Sequence, residues 1–221
     1  YTKGYVVRYD TKADKFSKVT GGLINDDSAY SSGLIERDGY LYAAINGDRN
    51  ADGKVTAEYI KVDLATDKIV GRVDITELFG QDEVMVRGVG MCGKMLFAGG
   101  IQMKGFVAID TETMELKDYG FNTQISIGTT EEIDGKIHFA ISGKGLHTYD
   151  SATDTITQSN AAMEAATAGF RCGETNAVSL DHNPLFPGTS YVTFGGTGIK
   201  IYNIESGNVY TPPLIDEEND G

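Results

Sequence analysis

The chain of 221 residues contains no tryptophan, four prolines and only two cysteines. Two cysteines are too few for the disulfide framework that holds many small secreted domains together. Cys92 and Cys172 also fall in different units of the repeat described below, so we expect each to be a small buried hydrophobic residue. A bridge between them is the alternative. A chain of this length can bury a substantial apolar core without such bridges.

Basic residues are also few, because 19 Lys and Arg stand against 32 Asp and Glu, which gives a formal net charge of −13. Nucleic-acid binding and docking on an anionic membrane both require clustered cations, so both are disfavoured. No apolar run approaches the roughly 18 residues that a membrane span needs. No secretion signal precedes the first predicted strand, and we expect either that a targeting segment has been removed or that the chain is an excised piece. The acidic balance fits a solvated surface, cation binding or an extracellular setting.

Glycine is abundant, with 28 residues, and suits short strands that are joined by tight turns. The pattern predicts an all-β fold with two short helical segments. The first covers residues 74–79, with Asp74 as its N-cap and Gly80 after its end. The second covers residues 159–168, with Gly169 after its end.

A strand followed by a turn recurs five times, as RYDTKADKF, KVDLATDKI, AIDTETMEL, TYDSATDTI and IYNIESGNV. Aligned on the residue that ends the strand, the copies are spaced by 53, 47, 40 and 53 residues; these residues are Asp10, Asp63, Asp110, Asp150 and Asn203. A large residue stands seven positions after the residue that precedes each Asp or Asn. We predict that these two residues close a hairpin, in the pairs Tyr9 with Phe16, Val62 with Ile69, Ile109 with Leu116, Tyr149 with Ile156, and Tyr202 with Val209.

Two further signals accompany each copy. The Asp or Asn side chain can accept hydrogen bonds from backbone N–H groups of its own turn. The strand that precedes each of the last four copies ends in small residues, as YAAING, LFAGG, FAISG and TFGG. Small residues at these places allow neighbouring sheets to approach each other closely near a common axis.

Units of about 40–50 residues with four strands each are typical of the blades of a β-propeller. The repeat resembles degenerate kelch-type repeats in its double glycines, Gly99-Gly100 and Gly195-Gly196, and in its Tyr-Asp pairs at residues 9–10 and 149–150. The tryptophan usual in that family is replaced by Phe, Ile, Leu, Ile and Val, so another propeller family is the alternative. The repeat spacing and the resemblance together predict an all-β propeller of four-stranded antiparallel blades over residues 1–215. The acidic run over residues 216–221 is predicted to be a tail.

The count of units predicts four full blades and a half blade at the beginning of the chain, where a pair of inner strands is missing. Four and a half blades do not close a ring. We therefore expect the chain to be part of a ring of roughly six to eight blades, which missing blades or another chain would complete.

Residues 48–59, DRNADGKVTAEY, follow the pattern of a calcium loop. Oxygen-bearing side chains stand at the first, third and fifth positions, and Gly53 permits the sharp bend. The usual bidentate carboxylate at the last position is replaced by Tyr59. The alternative is a polar hairpin turn with Asp-Gly at its tip. The predicted site, with calcium as a cofactor that stiffens the loop, consists of Asp48, Asn50, Asp52, Lys54 through its carbonyl, Thr56 and Glu58.

Two arginines, Arg87 and Arg171, stand at the start of presumed inner strands. They are candidate ligand-binding residues because a guanidinium can clamp a carboxylate or phosphate. Pairing with neighbouring acidic loops is the alternative. In a propeller the long connections between blades project from the same face as the predicted calcium loop, and we expect this face to bind the ligand. It would also carry Asp26, Asp27, Asp82 and Glu83.

The three histidines form no recognisable metal-site pattern. His138 and His147 lie on successive predicted strands at positions where they can contact each other, although filling of core or surface is the preferred interpretation. His182 is predicted to lie in a loop. No nucleophile elbow, phosphate-binding loop, HExxH motif or paired-cysteine zinc spacing occurs.

These observations favour a non-catalytic binding or adhesion module, located outside the cell or in the cell envelope and stabilised by calcium. It would recognise a glycan, a small ligand or a protein on its loop face. One alternative is a propeller-type enzyme, such as a lyase, glycosidase or oxidoreductase, with its site in the central depression. The other is a structural subunit of an envelope or filament assembly. A fold of this kind hosts unrelated activities, so it does not choose among them.

Overall fold

The computed structural model describes the chain over residues 6–19, 28–49, 55–78, 85–101, 105–123, 125–127, 132–141, 143–161, 190–195 and 198–211. These residues form seventeen β-strands and one short 3₁₀ helix, Thr76–Leu78. The strands are β1 Val6–Asp10, β2 Lys15–Val19, β3 Ser28–Arg37, β4 Tyr40–Arg49, β5 Val55–Asp63, β6 Lys68–Asp74, β7 Met85–Cys92, β8 Met95–Ile101, β9 Val107–Asp110, β10 Glu115–Leu116, β11 Ile125–Ser126, β12 Lys136–Ile141, β13 Gly145–Asp150, β14 Thr155–Asn160, β15 Ser190–Gly195, β16 Gly198–Asn203 and β17 Val209–Tyr210.

The strands form five antiparallel sheets in chain order. Sheet 1 is the hairpin β1–β2, sheet 2 is β3–β6, sheet 3 is β7–β10, sheet 4 is β11–β14 and sheet 5 is β15–β17. Within each sheet every strand pairs with the next strand of the chain, so the sheets are simple meanders. The prediction of an all-β chain built from four-stranded antiparallel sheets is confirmed. Sheet 1 corresponds to the two outer strands of a unit, and sheet 5 has three strands within the described residues.

All five predicted hairpins have the expected register, because each predicted pair of large residues is directly cross-strand. The turn residue behaves as predicted too. Oδ1 of Asp10 accepts the N–H groups of Lys12 and Ala13 at 2.8 and 2.9 Å, and the other four copies make an equivalent bond. In every copy the fourth residue after this Asp or Asn has a positive φ: Asp14, Asp67, Met114, Asp154 and Gly207. One turn geometry is therefore repeated five times.

Each central sheet packs on both neighbours, because its strands are apolar on both faces. In β4, Tyr42 and Ala44 belong to the core between sheets 2 and 3, whereas Ala43 and Ile45 belong to the core between sheets 1 and 2. The core between sheets 3 and 4 is aromatic, and the ring of Phe97 lies 4.7 Å from that of Tyr149. Such ring pairs add about 0.5–1.5 kcal/mol beyond the burial of their area.

Small residues do allow close approach between sheets, as predicted. A Cβ placed on Gly99 in β8 would lie 2.2 Å from the carbonyl oxygen of Ile125 in β11, which belongs to the next sheet. No real Cβ tolerates that distance, so the strand of sheet 3 and the backbone of sheet 4 meet only because residue 99 has no side chain.

β3 is long, beginning at Ser28, because its pairing with β4 continues through two bulges. β10 is short and covers only Glu115–Leu116. One predicted boundary was wrong. The predicted helix at 159–168 cannot begin at Ser159, because Asn160 pairs with Leu146 as part of β14; residues 162–168 lie outside the described residues. Asp74 does cap the 3₁₀ helix, accepting the N–H of Thr76 at 2.8 Å.

Along the described ranges, no helix is long and apolar enough to cross a membrane. Cys92 is a buried free thiol in the core between sheets 3 and 4, as expected for a small hydrophobic residue. Its alternative partner, Cys172, lies outside the described residues.

The contact at Gly99 gives a first test. We expect Gly99→Ala to lower the free energy of unfolding by about 1–3 kcal/mol, the usual cost of overpacking, because the new Cβ forces sheets 3 and 4 apart. Chemical denaturation measures the change. Gly105→Ala is the matched control, since its Cβ would meet only the Phe121 carbonyl oxygen at an ordinary 3.4 Å. Equal losses in the two variants would contradict the close-approach interpretation.

Candidate functional site

The described part of the chain contains a cleft between sheets 2 and 3, which we call the inter-sheet groove. Its volume is about 440 Å³. It combines two tyrosine rings with three cationic side chains, which is unusual in a chain of net charge −13. The groove is lined by Arg37, Asp38, Tyr40, Tyr42, Lys61, Met91, Gly93, Lys94, Thr111 and Glu112.

Tight turns place these residues at one end of the two sheets. The β3–β4 turn has Asp38 and Gly39 at its centre with φ of 53° and 79°, which matches the type I′ geometry preferred in two-residue hairpins. The β7–β8 turn contributes Gly93 and Lys94, and the β9–β10 turn contributes the residues around Thr111. The groove therefore lies at the short-turn end of the strands.

Lys61 crosses the groove. Its Nζ lies 4.3 Å from the centre of the Tyr40 ring and 5.6 Å from that of Tyr42, so the ammonium faces both π systems. The same Nζ donates a hydrogen bond of 2.7 Å to the carbonyl oxygen of Thr111 in sheet 3. Lys61 thus joins the two sheets and retains two N–H donors, because an ammonium has three.

The sheet 3 side of the groove is held by Thr111 and Lys94. Thr111 donates through both its backbone N–H and its hydroxyl to the carbonyl oxygen of Lys94, at 2.9 and 2.7 Å. The Lys94 ammonium pairs with Asp110 at 2.8 Å and with Glu112 at 3.5 Å. The Asp110 pair is the stronger of the two, and it raises the pKa of Lys94.

The third cation, Arg37, extends the network to sheet 4. Its guanidinium pairs with Glu132 at 2.7 Å, and Glu132 also accepts the backbone N–H of Gly93 at 3.0 Å. Glu132 stands just before β12, so one carboxylate holds the β3–β4 turn, the β7–β8 turn and the entry to sheet 4. The geometry of the groove is therefore fixed by three sheets.

The chemistry that the groove supports is recognition. Its floor is apolar, since Tyr42 and Met91 are buried in the core between sheets 2 and 3. Its walls present cationic N–H donors beside the exposed carboxylates of Asp38 and Glu112. Such a cleft is suited to a ligand that has an apolar part and carries hydrogen-bond acceptors at one end.

Outside the groove, several titratable groups have shifted pKa values, and the buried hydroxyl of Tyr59 makes no hydrogen bond. The Asp154 carboxylate pairs with Lys117 and accepts the Tyr119 hydroxyl at 2.7 Å, and these contacts lower the pKa of Asp154. Burial raises the pKa of Tyr149 to about 12. Burial and the nearby Glu132 raise the pKa of Cys92 to about 11. None of these groups is poised to exchange protons near neutral pH.

The suggested contact between His138 and His147 was wrong. His138 is opposite Thr148 and His147 is opposite Phe139, so the two imidazoles lie on opposite faces of sheet 4. His138 Nδ1 lies 2.8 Å from the Thr148 hydroxyl, which in turn hydrogen-bonds to Ser159. His147 Nδ1 lies 2.9 Å from the Gly145 carbonyl oxygen, and its ring meets Phe121 edge-on. Both histidines are buried, as the preferred interpretation expected.

The described residues among the site residues predicted from the sequence lie away from the groove end of the strands. Arg87 lies in β7, and Arg171 lies outside the described residues. β4 runs from Tyr40 at the groove to Arg49 at the predicted calcium loop, about 30 Å away at the rise of an extended strand. The groove is therefore on the face opposite the expected ligand face.

Of the six predicted calcium ligands, Asn50, Asp52 and Lys54 lie outside the described residues. Asp48 is in β4 and Thr56 is in β5. The Glu58 carboxylate pairs with Arg72 at 2.6 Å. Within the described stretches no three acidic, histidine or cysteine residues converge on a metal position. The calcium site remains a prediction.

Sequence reasoning missed the groove, although one signal points to it. Lys61 occupies the position two residues before the turn Asp, which faces the following sheet. The equivalent residues in sheets 1, 3, 4 and 5 are Arg8, Ala108, Thr148 and Ile201. Among the three four-stranded sheets, a charged residue stands at this position in sheet 2 alone, and this indicates a polar opening between sheets 2 and 3.

A scan against protein-family models matches no family, and no curated protein matches the chain. Solved structures do match. The WD40 repeats of RRP9 superpose with a TM-score of 0.51 at 12% identity, over 84% of this chain and 51% of that one. Dihydro-heme d1 dehydrogenase NirN in complex with DHE gives 0.53 at 14% identity, over 95% and 41%. U3-55K gives 0.50 at 12% identity, over 84% and 52%.

WD40 repeats form β-propellers, and the sheets described above are the blades. The fold is a β-propeller. At these identities the likeness establishes the fold alone. The chain spans about half the length of the propeller structures that it matches, or less.

The stability of the fold at acidic pH should depend on His138. Burial lowers its pKa from 6.5 to about 4, so the folded state prefers the neutral imidazole. The stability that this preference confers is present above pH 6.5 and is lost as pH falls towards 4. We expect the wild type to lose about 1–3 kcal/mol more than His138→Gln between pH 7 and pH 4.5, because one pKa unit corresponds to about 1.4 kcal/mol. Urea denaturation at several pH values measures this difference; parallel losses would show that His138 is not responsible.

Proposed function

We propose that this propeller is a non-catalytic binding module that receives a segment of a protein partner in the inter-sheet groove. The proposal rests on the composition of that groove, in which Tyr42 and Met91 form an apolar floor and Lys61 and Lys94 offer N–H donors above it. A peptide segment supplies both complements, an apolar side chain and carbonyl or carboxylate acceptors.

The preformed network of the groove supports recognition by a rigid surface. Lys61, Thr111, Lys94, Arg37 and Glu132 all have defined partners before any ligand is present. A partner would therefore lose little free energy in ordering the cleft, and affinity rises when this ordering cost is small. The net charge of −13 also favours partners whose surrounding surface is basic, since opposite charges accelerate encounter.

The enzyme alternative draws support from the fold likeness to NirN, a dihydro-heme d1 dehydrogenase. General acid–base catalysis needs a side chain whose pKa lies near neutral pH. Among the described residues, burial shifts the pKa of Cys92, Tyr149 and His138 away from that range, so protein binding is preferred. The assignment to kelch-type repeats, the glycan or small-ligand alternatives, the envelope-assembly alternative and a location outside the cell or in its envelope remain predictions.

A phage-displayed random peptide library, selected on the wild-type chain, tests the groove. We expect the selected peptides to bind at least about tenfold more weakly to Tyr40→Ala and to Lys61→Met, a loss of about 1.4 kcal/mol or more, because each change removes part of the wall or a donor. Calorimetry or interferometry with the synthesised peptides measures the affinities.

Two matched variants control this experiment. Tyr210→Ala removes an exposed tyrosine from sheet 5, and Lys136→Met removes an exposed lysine whose ion pair with Asp150 is 3.7 Å long. Neither should change peptide binding. Peptides that bind all four variants like the wild type would contradict the groove as the recognition site.

Calcium binding by the loop at residues 48–58 is a second part of the proposal. The favourable feature is the series of oxygen-bearing side chains ahead of Gly53, in the sequence between β4 and β5. The Arg72–Glu58 pair competes for one of the predicted ligands. We expect EDTA to lower the Tm of the wild type and to leave that of Asp52→Ala unchanged. Equal Tm values for the wild type with calcium and with EDTA would remove the site.

A further inference from the structure

The three cations of the inter-sheet groove differ in how their charges are compensated. The Arg37 guanidinium pairs with Glu132 at 2.7 Å. The Lys94 ammonium pairs with Asp110 at 2.8 Å. Lys61 makes no ion pair within the described ranges, and its ammonium instead contacts two tyrosine rings and one carbonyl oxygen. Of the three, Lys61 is therefore the cation whose charge no described carboxylate neutralises.

The contacts of the Lys61 ammonium stabilise its charge without neutralising it, because ring faces and a carbonyl oxygen carry only partial negative charge. Two of its three N–H donors remain for a ligand, since the bond of 2.7 Å to the Thr111 carbonyl oxygen uses one. Among unmodified side chains, a carboxylate is the acceptor that binds an ammonium most strongly, because both groups are charged. This hydrogen bond is only partly buried, so a carboxylate beside Lys61 would keep part of its hydration.

The rim of the groove carries the opposite charge. The Asp38 carboxylate is 90% exposed, and its distance to the Arg37 guanidinium is 3.9 Å. The Glu112 carboxylate is 72% exposed and lies 3.5 Å from the Lys94 ammonium. Each of these two cations has a nearer carboxylate partner, so neither rim acid is fully neutralised. A ligand therefore meets negative charge at the rim and positive charge at Lys61.

We propose that the segment bound in the inter-sheet groove carries an Asp or Glu whose carboxylate pairs with Lys61, and a nearby Lys or Arg that pairs with a rim acid. This inference rests on the proposed function and names the chemistry of its partner. The two charges together supply specificity. A segment that carries cations alone would bring a like charge to Lys61, and a segment that carries acids alone would bring like charges to Asp38 and Glu112.

The peptides recovered from the random library on the wild-type chain give the first test. Those that bind Tyr40→Ala at least about tenfold more weakly are groove-dependent, and we expect them to be enriched in an Asp or Glu that has a Lys or Arg close by in sequence. Replacing that acid by Asn or Gln in the synthesised peptide should weaken binding to the wild type at least about tenfold, because the charge-assisted bond to Lys61 is lost. The change is made in the peptide, so the result does not depend on the folding of a protein variant.

Two variants of Lys61 show whether the peptide acid acts through this residue. With Lys61→Met, the acid-to-amide change in the peptide should cost less than about threefold in affinity, because the carboxylate has already lost its partner. With Lys61→Arg, which keeps the positive charge, the same change should still cost about fivefold or more. Lys136→Met, which removes an exposed lysine of sheet 4, is the matched control and should behave as the wild type.

The double variant Asp38→Asn, Glu112→Gln tests the rim. It should slow peptide association at least about threefold at low salt, and the difference should vanish near about 1 M salt, because rim charges act mainly by steering and salt screens them. Glu205→Gln is the matched control, since Glu205 is an exposed acid in the turn between β16 and β17.

The outcomes separate this inference from the proposed function. Groove-dependent peptides without an enriched acid would overturn the inference alone. The same holds for an acid-to-amide change that costs equally in the wild type and in Lys61→Met, and for a rim variant that associates like the wild type. Peptides that bind Tyr40→Ala and Lys61→Met like the wild type, or a library that yields no binder, would overturn the proposed function itself.

Discussion

The burial of each sheet between its two neighbours is the constraint on which this structure depends. A strand turns alternate side chains to opposite faces, so a sheet that is covered on both sides must be apolar or small at every position of its central strands. The middle of β4 satisfies this requirement with an uninterrupted run of Leu, Tyr, Ala, Ala and Ile. The five Asp or Asn turns then set the register that brings these residues into place.

The inter-sheet groove arises where this rule is relaxed. A lysine at position 61 puts a charge on a face where the other two four-stranded sheets have the uncharged residues Ala108 and Thr148. A charge in such a place is costly unless it is paired. The tyrosine rings and the Thr111 carbonyl compensate it from both sheets. The opening between sheets 2 and 3 is therefore maintained by the same contacts that give it a binding character.

The repeated turns and the strand pairs could be predicted from the sequence, because both depend on residues only a few positions apart. Features that depend on distant residues could not. The packing of separate sheets brings together Arg37, Lys61 and Lys94. No local sequence motif predicts that these three residues lie in one groove. The region after Thr155 was misjudged for a related reason: its alanine-rich continuation has helical propensity, but pairing with β13 keeps Ser159 and Asn160 in a strand. The possible contact between the two histidines was misjudged because a shift of one position in register reverses the face of every side chain.

Each apolar core described above joins two sheets that are adjacent along the chain. The Arg37–Glu132 ion pair differs, since it links sheet 2 to sheet 4 at the surface. This is the architecture of a repeat protein, in which each unit is stabilised mainly by its interfaces with the neighbouring units. Whole units could thus be gained or lost during evolution, by duplication or deletion of one strand-and-turn module, without redesign of the others. Related proteins would then contain different numbers of the same module, and their propeller rings would differ in size.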